Sequence, residues 1–499
     1  MQPLHQALLD MTRPIDWDDV FNASKSGEND VFLRYIYGFF HENIDRSPIG
    51  AYLVGNLLAA RTDSDRVRYC EDYAKLVLGI TDILDASYFR EVVLKKEAEE
   101  HIAFELQRDH SVHTIHNYLL GWYFFINCSH ISTCFGTHFK IRGIDRELHR
   151  AGPYAAYPFG ELWCFASLLH DVGYIFEGRL EPVKSLACWD KYVEAGVRKV
   201  EQYFNSQFWR EAGIRAVDKD VIARITGVQD RPVRLDDADS TMAFLRDLGQ
   251  VDTIRRIVGD SIWPCELAFD YRDAFGMWAG NYKTFGFDSM AARVEGLEKA
   301  LESLAEKGIP GNGVRVLDHG ICGGLVLLKL STIWYRLYCA LKSYMDGRAG
   351  SDADMKVCHD VLERMLSGPP YNPAHYWRSI VWATAAVAVH NVQQFPGYPG
   401  WTGKLSLQDD PLAYLGILVD ILQDWDRHGV DRLGAIQGSR RCLNSTDVQI
   451  GVGGDGRIQM LYGCRRGDSV TGRYERMVDD LDRALEGWNS LVEVSFRHV

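Results

Sequence analysis

Phe165-Ala166-Ser167-Leu168-Leu169-His170-Asp171-Val172-Gly173-Tyr174-Ile175-Phe176-Glu177 is an apolar run that ends in two adjacent metal-capable side chains, followed two residues later by a glycine. Neighbouring His and Asp side chains face one cation together only where the backbone turns. Burying both is costly unless a metal or hydrogen bonds compensate. The chain contains a second such pair, His359-Asp360, but it follows the charged stretch Asp352–Cys358 and has no glycine two residues on. That pair reads as one side of a solvated helix.

The chain has 499 residues, length enough for two or three domains, and its 46% hydrophobic content is ordinary for a chain that buries a large core. The formal net charge of -13 argues against non-specific nucleic-acid binding, because no basic field exists to displace counterions. An anionic substrate would need a local positive centre, and bound metal ions supply one. The 11 cysteines form no CxxC pairs and mostly sit in apolar segments, so they read as buried free thiols rather than a zinc site. No basic leader followed by an apolar core opens the chain, and no apolar run approaches the ~18 residues of a membrane span. A soluble cytoplasmic protein that does not enter membranes is the expectation, and self-association into a homo-oligomer is left open.

The periodicity predicts a mainly α fold. Amphipathic stretches such as Val31–His41 and Asp72–Ile83 fill residues 1–100, an N-terminal helical region, and Glu100–Phe125 makes one long helical pattern. Pro153 and Pro158 punctuate a loop before the apolar run. Residues 101–194 and 311–430 read as two parts of one core. Between them, residues 195–310 look like a helical insertion that closes with Gly308–Gly313. Helices are expected at Tyr376–Gln394 and Pro411–Arg427, the latter started by Asp410 as N-cap with Pro411 at N1. Residues 440–499 read as a small ββαβ unit. Val448, Ile450 and Val452 alternate, Gly453-Gly454-Asp455-Gly456 turns, and Ile458, Met460 and Tyr462 alternate again. A helical period through Met477, Leu481, Ala484, Leu485 and Trp488 follows, then a last alternation through Val492, Val494 and Phe496.

Further histidines and acids sit in comparable settings. In Arg108-Asp109-His110-Ser111-Val112-His113-Thr114-Ile115-His116-Asn117, His110 and His113 share a helix face and His116 drifts off it. Taken alone, this is a polar face at a domain seam or a site. Asp420 is flanked on both sides by apolar pairs, so its carboxylate wants either a cation or a basic side chain. His319 opens an apolar helix, and His390 ends Ala385-Ala386-Val387-Ala388-Val389. A lone His on an apolar face is more often a satisfied core residue.

The stretch around His170-Asp171 resembles the central motif of the HD superfamily of metal-dependent phosphohydrolases, with Gly173, Tyr174 and Glu177 in that family's pattern. The resemblance covers roughly residues 105–430 and implies an HD-type helical bundle. It puts His113 in the position of the first ligand, on a helix upstream of the pair. Asp420 falls in the ligand position of the closing helix. The order His113, His170-Asp171, His319, His390, Asp420 is that of the superfamily's binuclear members, although the long gap after Asp171 departs from compact HD domains. His110 would then lie one turn from a ligand, suited to substrate or proton handling, and Glu177 would be a substrate-side acid.

Such a set implies two divalent transition-metal ions, for imidazole and carboxylate suit Mn, Fe, Co, Ni or Zn more than Mg. Asp171 as a bridge would place a water between them and lower its pKa. The implied activity is hydrolysis of a small phosphoester, a nucleotide or cyclic nucleotide, with His110 as the acid for the leaving group. Two other readings use the same residues: a di-iron oxygenase like the myo-inositol oxygenase branch, and a non-catalytic sensor of nucleotide or metal. Because the second His-Asp pair lacks the apolar context and the glycine, His359→Ala should alter neither metal content nor activity; a large loss of activity in a folded variant would mean that the wrong pair had been chosen.

Overall fold

The structure is a computed structural model that describes residues 1–11, 49–60, 62–81, 110–143, 157–175, 271–307, 319–321, 323–325, 327–328, 373–391, 403–425, 447–464 and 470–498. These residues are mostly helical. In chain order they form β1 (Gln2–Pro3), α1 (Leu4–Met11), α2 (Ile49–Ala59), α3 (Asp63–Thr81), α4 (His110–Asn127), α5 (Ser129–Ile141), α6 (Tyr157–Leu168) and a 3₁₀ turn (His170–Ile175). There follow α7 (Tyr271–Thr284), α8 (Asp288–Lys307), a helical stretch at 319–321 and 323–325, α9 (Pro373–Val389) and α10 (Pro411–Leu422). The C-terminal part is β2 (Val448–Val452), β3 (Ile458–Cys464), α11 (Val470–Ala484), a short 3₁₀ turn (Trp488–Ser490) and β4 (Val492–His498).

Helices α4, α6, α9 and α10 pack on one another around an aromatic interior. Phe125 and Phe159 stack at 3.6 Å, and Trp122 meets Phe159 edge to face at 4.8 Å. The Trp163 indole crosses α4 so closely that a Cβ at Gly121 would fall 2.0 Å from its ring, and its Nε1 donates to the Tyr118 carbonyl at 2.9 Å. Of the stretch expected to be an insertion, α7 and α8 are described, and α7 shares the main core: Trp278 Nε1 donates to Thr384 Oγ1 of α9 at 3.1 Å. Pro158, expected in a loop, falls in the first turn of α6, where a proline lacks no needed N–H. Residues 31–41, 195–270 and His359-Asp360 lie outside the described residues.

The C-terminal unit has the expected ββαβ order. Val448 pairs with Tyr462 and Ile450 with Met460, which puts these four residues on one buried face, while Val452 at the strand end is exposed. Gly456, at φ +81°, makes the tight turn between the strands. β4 runs parallel to β3 after the α11 crossover. The chain start adds a further strand, for Gln2 and Pro3 pair antiparallel with Ile450 and Gln449. Two residues carry no alternation, so no sequence pattern announces that strand.

Asp410 fixes the start of α10. Fully buried, it accepts from the Leu412 and Ala413 amides at 2.9 and 3.0 Å, from Trp382 Nε1 at 3.0 Å and from the Tyr282 hydroxyl. Arg142, at the C-cap of α5, is buried beside it. Its guanidinium lies 4.0 Å over the Trp382 ring and donates to Asn281 Oδ1 at 2.7 Å. Burial pushes the Arg142 pKa down to about 10, against the opposing pull of Asp410 and Tyr282. Asp410→Ala removes an N-cap, worth about 1 kcal/mol, and strands two buried donors at about 1–3 kcal/mol each. A loss of at least about 3 kcal/mol in chemical denaturation is expected; a change below about 1 kcal/mol would show that this cluster does not hold the bundle.

Candidate metal centre

The His-Asp pair stands on the 3₁₀ turn that follows α6, not on the helix itself. The reason is visible at Gly173. A Cβ there would lie 1.7 Å from the His319 carbonyl oxygen and 2.6 Å from the Gly323 nitrogen. Gly324 in turn admits α9, since its Cβ would meet Ala388 Cβ and the Thr384 carbonyl at 2.7 Å. The turn, the 319–325 stretch and α9 therefore touch backbone to backbone. That contact brings side chains distant in sequence to one point.

His113, His170, Asp171, His319, His390 and Asp420 converge there. Ligand atoms of His113, His170 and Asp420 lie within 4.8 Å of one another, as do those of His170, Asp171 and His390. His319 joins the second group, with Nε2 3.2 Å from His390 Nε2 and 3.5 Å from Asp171 Oδ1. All these residues are buried except Asp420, whose side chain is partly exposed. His110 is also present, its Nδ1 3.1 Å from Asp171 Oδ2. Glu177 lies outside the described residues. His116 is turned away from the centre and accepts from Trp425 Nε1 at 3.2 Å.

The two oxygens of Asp171 face different sides. Oδ1 looks to His319 and His390, at 3.5 and 3.8 Å. Oδ2 looks to His170 and His110, at 3.3 and 3.1 Å. Burial alone would push this carboxyl up, but His170, His110 and His319 together outweigh it and hold the group well below the usual carboxylate range. Burial holds His170 below the ordinary imidazole range despite the two nearby carboxylates. His319 is held well below that range by burial and then by His390. A carboxylate that stays ionised is what metal ligation by Asp171 would need.

The ring tautomers fit the same use. His170 Nδ1 donates to the Ser167 carbonyl at 2.6 Å and His390 Nδ1 to the Val387 carbonyl at 2.7 Å, so each presents an Nε2 lone pair inward. His170 Nε2 has no hydrogen-bond partner among the described residues. His113 Nδ1 faces Gln423 Oε1 at 2.5 Å, and Gln423 cannot turn its amide around because its Nε2 donates to the Trp425 carbonyl at 2.5 Å. Nδ1 of His113 therefore carries the proton. Its other nitrogen lies 2.5 Å from Asp420 Oδ1, a contact that needs a proton or a metal ion between the two atoms. The donor set fits transition-metal ions: His113, His170 and Asp420 could hold one, and Asp171 with His390 and the adjacent His319 another.

Three polar residues of the centre escaped the sequence reading: Gln423, Asn117 and Asn391. Gln423 lies three residues after Asp420, and Asn117 four after His113, so both share a helix face with a ligand; that spacing was the available signal. Asn391 Nδ2 lies 3.3 Å from His319 Nδ1, adjacent in sequence to His390.

Compared with protein-family models, with curated proteins and with solved structures, the chain finds no match.

Metal-ligating histidines lean on an acceptor at the second ring nitrogen, and losing it typically costs about 10–100-fold in affinity. Gln423→Leu removes the acceptor of His113 and should weaken binding of one Co²⁺ ion by roughly that factor, read from titration of the visible cobalt bands. An unchanged affinity in a variant with native helical circular dichroism would show that Gln423 does not orient His113.

Proposed function

We propose that this chain is a metal-dependent phosphohydrolase of the HD type, which cleaves a small phosphoester, a nucleotide or cyclic nucleotide, by water activated between two divalent transition-metal ions. The observation that carries the reading is the placement of Asp171, whose two oxygens address two different sets of histidines. A carboxylate so placed could serve two cations at once, and a pair of cations would supply charge stabilisation to a displacement at phosphorus. When bound, the ions lower the pKa of the attacking water and offset the phosphoryl charge that a chain of net charge -13 would repel.

The chain's own residues supply the remainder. His113, His170 and His390 direct their Nε2 atoms inward because their Nδ1 atoms are engaged by Gln423 and by the Ser167 and Val387 carbonyls. His110 is fixed by Asp171 at 3.1 Å and is partly exposed, which suits it to hand a proton to a leaving alkoxide. Glu177 remains a candidate acid on the substrate side.

The test is a panel of phosphomonoesters, nucleotides and cyclic nucleotides incubated with the Mn²⁺-, Co²⁺- or Zn²⁺-loaded protein. Phosphate or nucleotide release is expected with at least one metal. Asp171→Ala should lose metal at one or both positions and bring release to background while the helical circular dichroism stays native. Full metal stoichiometry in that variant would sink the assignment. Oxygen consumption by the iron-loaded protein without phosphoester cleavage would favour a di-iron oxygenase on the same ligands.

A further inference from the structure

Asn117 is 1% exposed and stands one helical turn beyond His113 on α4. One end of its amide reaches the centre of the site, 3.0 Å from His113 Nε2 and 3.4 Å from Asp420 Oδ1. The other end is buried without a hydrogen-bond partner among the described residues. The residue also lines a small cavity with Ser167, His170 and His390 between α4, α6, α9 and α10.

The two ends of a primary amide have nearly the same shape, and which of them points inward follows from the groups they meet. With the nitrogen inward, Asn117 donates to His113 Nε2 and leaves its oxygen buried and unsatisfied. That arrangement survives only while the Nε2 lone pair is free. A cation between His113 and Asp420 takes the lone pair and would repel an inward N–H. Turning the amide over then points its carbonyl oxygen at the cation. Two ligands on bonds of about 2.1 Å stand about 3 Å apart at right angles and about 3.4 Å apart at a tetrahedral angle, a range that includes the 3.0 and 3.4 Å from the Asn117 amide to its two neighbours.

We propose that Asn117 is a ligand, through its carbonyl oxygen, of the metal position formed by His113, His170 and Asp420, and that it biases that position toward harder ions than its partner accepts. The inference rests on the two-ion reading of the site. Besides Asp171, which could reach both positions, the first then offers two imidazoles and two oxygens, one of them a neutral carbonyl of the kind that Mn²⁺ and Mg²⁺ take readily. The second offers His319, His390 and Asp171, a set richer in nitrogen that suits Zn²⁺, Fe²⁺ or Ni²⁺. Two ions of different kinds would occupy one centre.

The experiment isolates the first position. His390→Ala removes a ligand of the second, and Mn²⁺ binding to this protein is followed by the electron paramagnetic resonance of the free ion. Adding Asn117→Leu, similar in volume without the oxygen, should raise the Mn²⁺ dissociation constant at least about tenfold and the Zn²⁺ constant by less. Adding Asn117→Asp instead, which keeps the shape and supplies an anionic oxygen, should tighten Mn²⁺ binding. An unchanged Mn²⁺ constant in the Leu variant, or weaker binding in the Asp variant, overturns the ligand role. Failure of the unsubstituted protein to bind Mn²⁺ or Zn²⁺ at all overturns the two-ion reading itself. The Asp variant keeps the question answerable should the Leu variant not fold.

Discussion

A carboxylate stripped of water needs compensation, and Asp171 makes that need the organising constraint of the molecule. Taking one ionised carboxylate out of water costs several kcal/mol even after relaxation. Around Asp171 the compensation comes from His110, His170, His319 and His390, which descend from α4, the 3₁₀ turn, the 319–321 stretch and the end of α9. Of these, His170 and His390 are buried with their second nitrogens satisfied by the Ser167 and Val387 carbonyls, as His113 nearby is by Gln423. None of these groups is stable there alone. Their burial makes sense as one mutually compensating unit.

That unit depends on three backbones touching. Gly173, Gly323 and Gly324 give the turn, the 319–325 stretch and α9 an approach that no side chain would allow. The Phe125–Phe159 stack and Trp163 over Gly121 press α6 onto α4, which sets the turn at the right height against His113. Packing density, not the ligands, decides the positions, and small shifts there would be felt at the site.

Part of the cluster was legible because Asp171, His390 and Asp420 end or interrupt apolar runs and His319 opens one, and a polar residue in such a place announces a burial that something must compensate; His113 lies in a polar stretch and was singled out only by the resemblance. The C-terminal strands were legible for the same kind of reason, since Val448, Ile450, Met460 and Tyr462 alternate with period two. Other features carry no such mark. Nothing in Gln2-Pro3 announces a strand, because its pairing is decided by where α1 docks. Gln423 and Asn117 sit on predicted helices at ligand spacing, yet amides are ordinary on helix surfaces and only the folded geometry turns them inward. Arg142 looks like one more basic residue near a helix end until Trp382 and Asn281, far along the chain, close over it.

The C-terminal unit lies outside the resemblance, and its contacts indicate what it contributes. Helix α10 carries Asp420, with Gln423 at its C-cap, at the end opposite Asp410, about 15 Å away at 1.5 Å per residue. Its start is locked by Asp410, Tyr282 and Trp382. Its far end is held by the sheet: the buried Tyr462 hydroxyl donates to the Leu422 carbonyl at 2.7 Å, and Arg473 of α11 donates to Asp424 Oδ2 at 3.0 Å. On the lead-in to the helix, the Leu405 amide donates to the Ala484 carbonyl and the Glu486 amide returns to Leu405. Midway, the Tyr414 hydroxyl donates to the Glu486 carbonyl. Carbonyls in the last turn of a helix have no partner within it, so the Tyr462 bond satisfies a group that would otherwise pull the end of α10 toward solvent and carry Asp420 and Gln423 with it. The ββαβ unit and the N-terminal strand paired to it are therefore a clamp on the helix that carries Asp420, which couples both terminal segments to the geometry around Asp420.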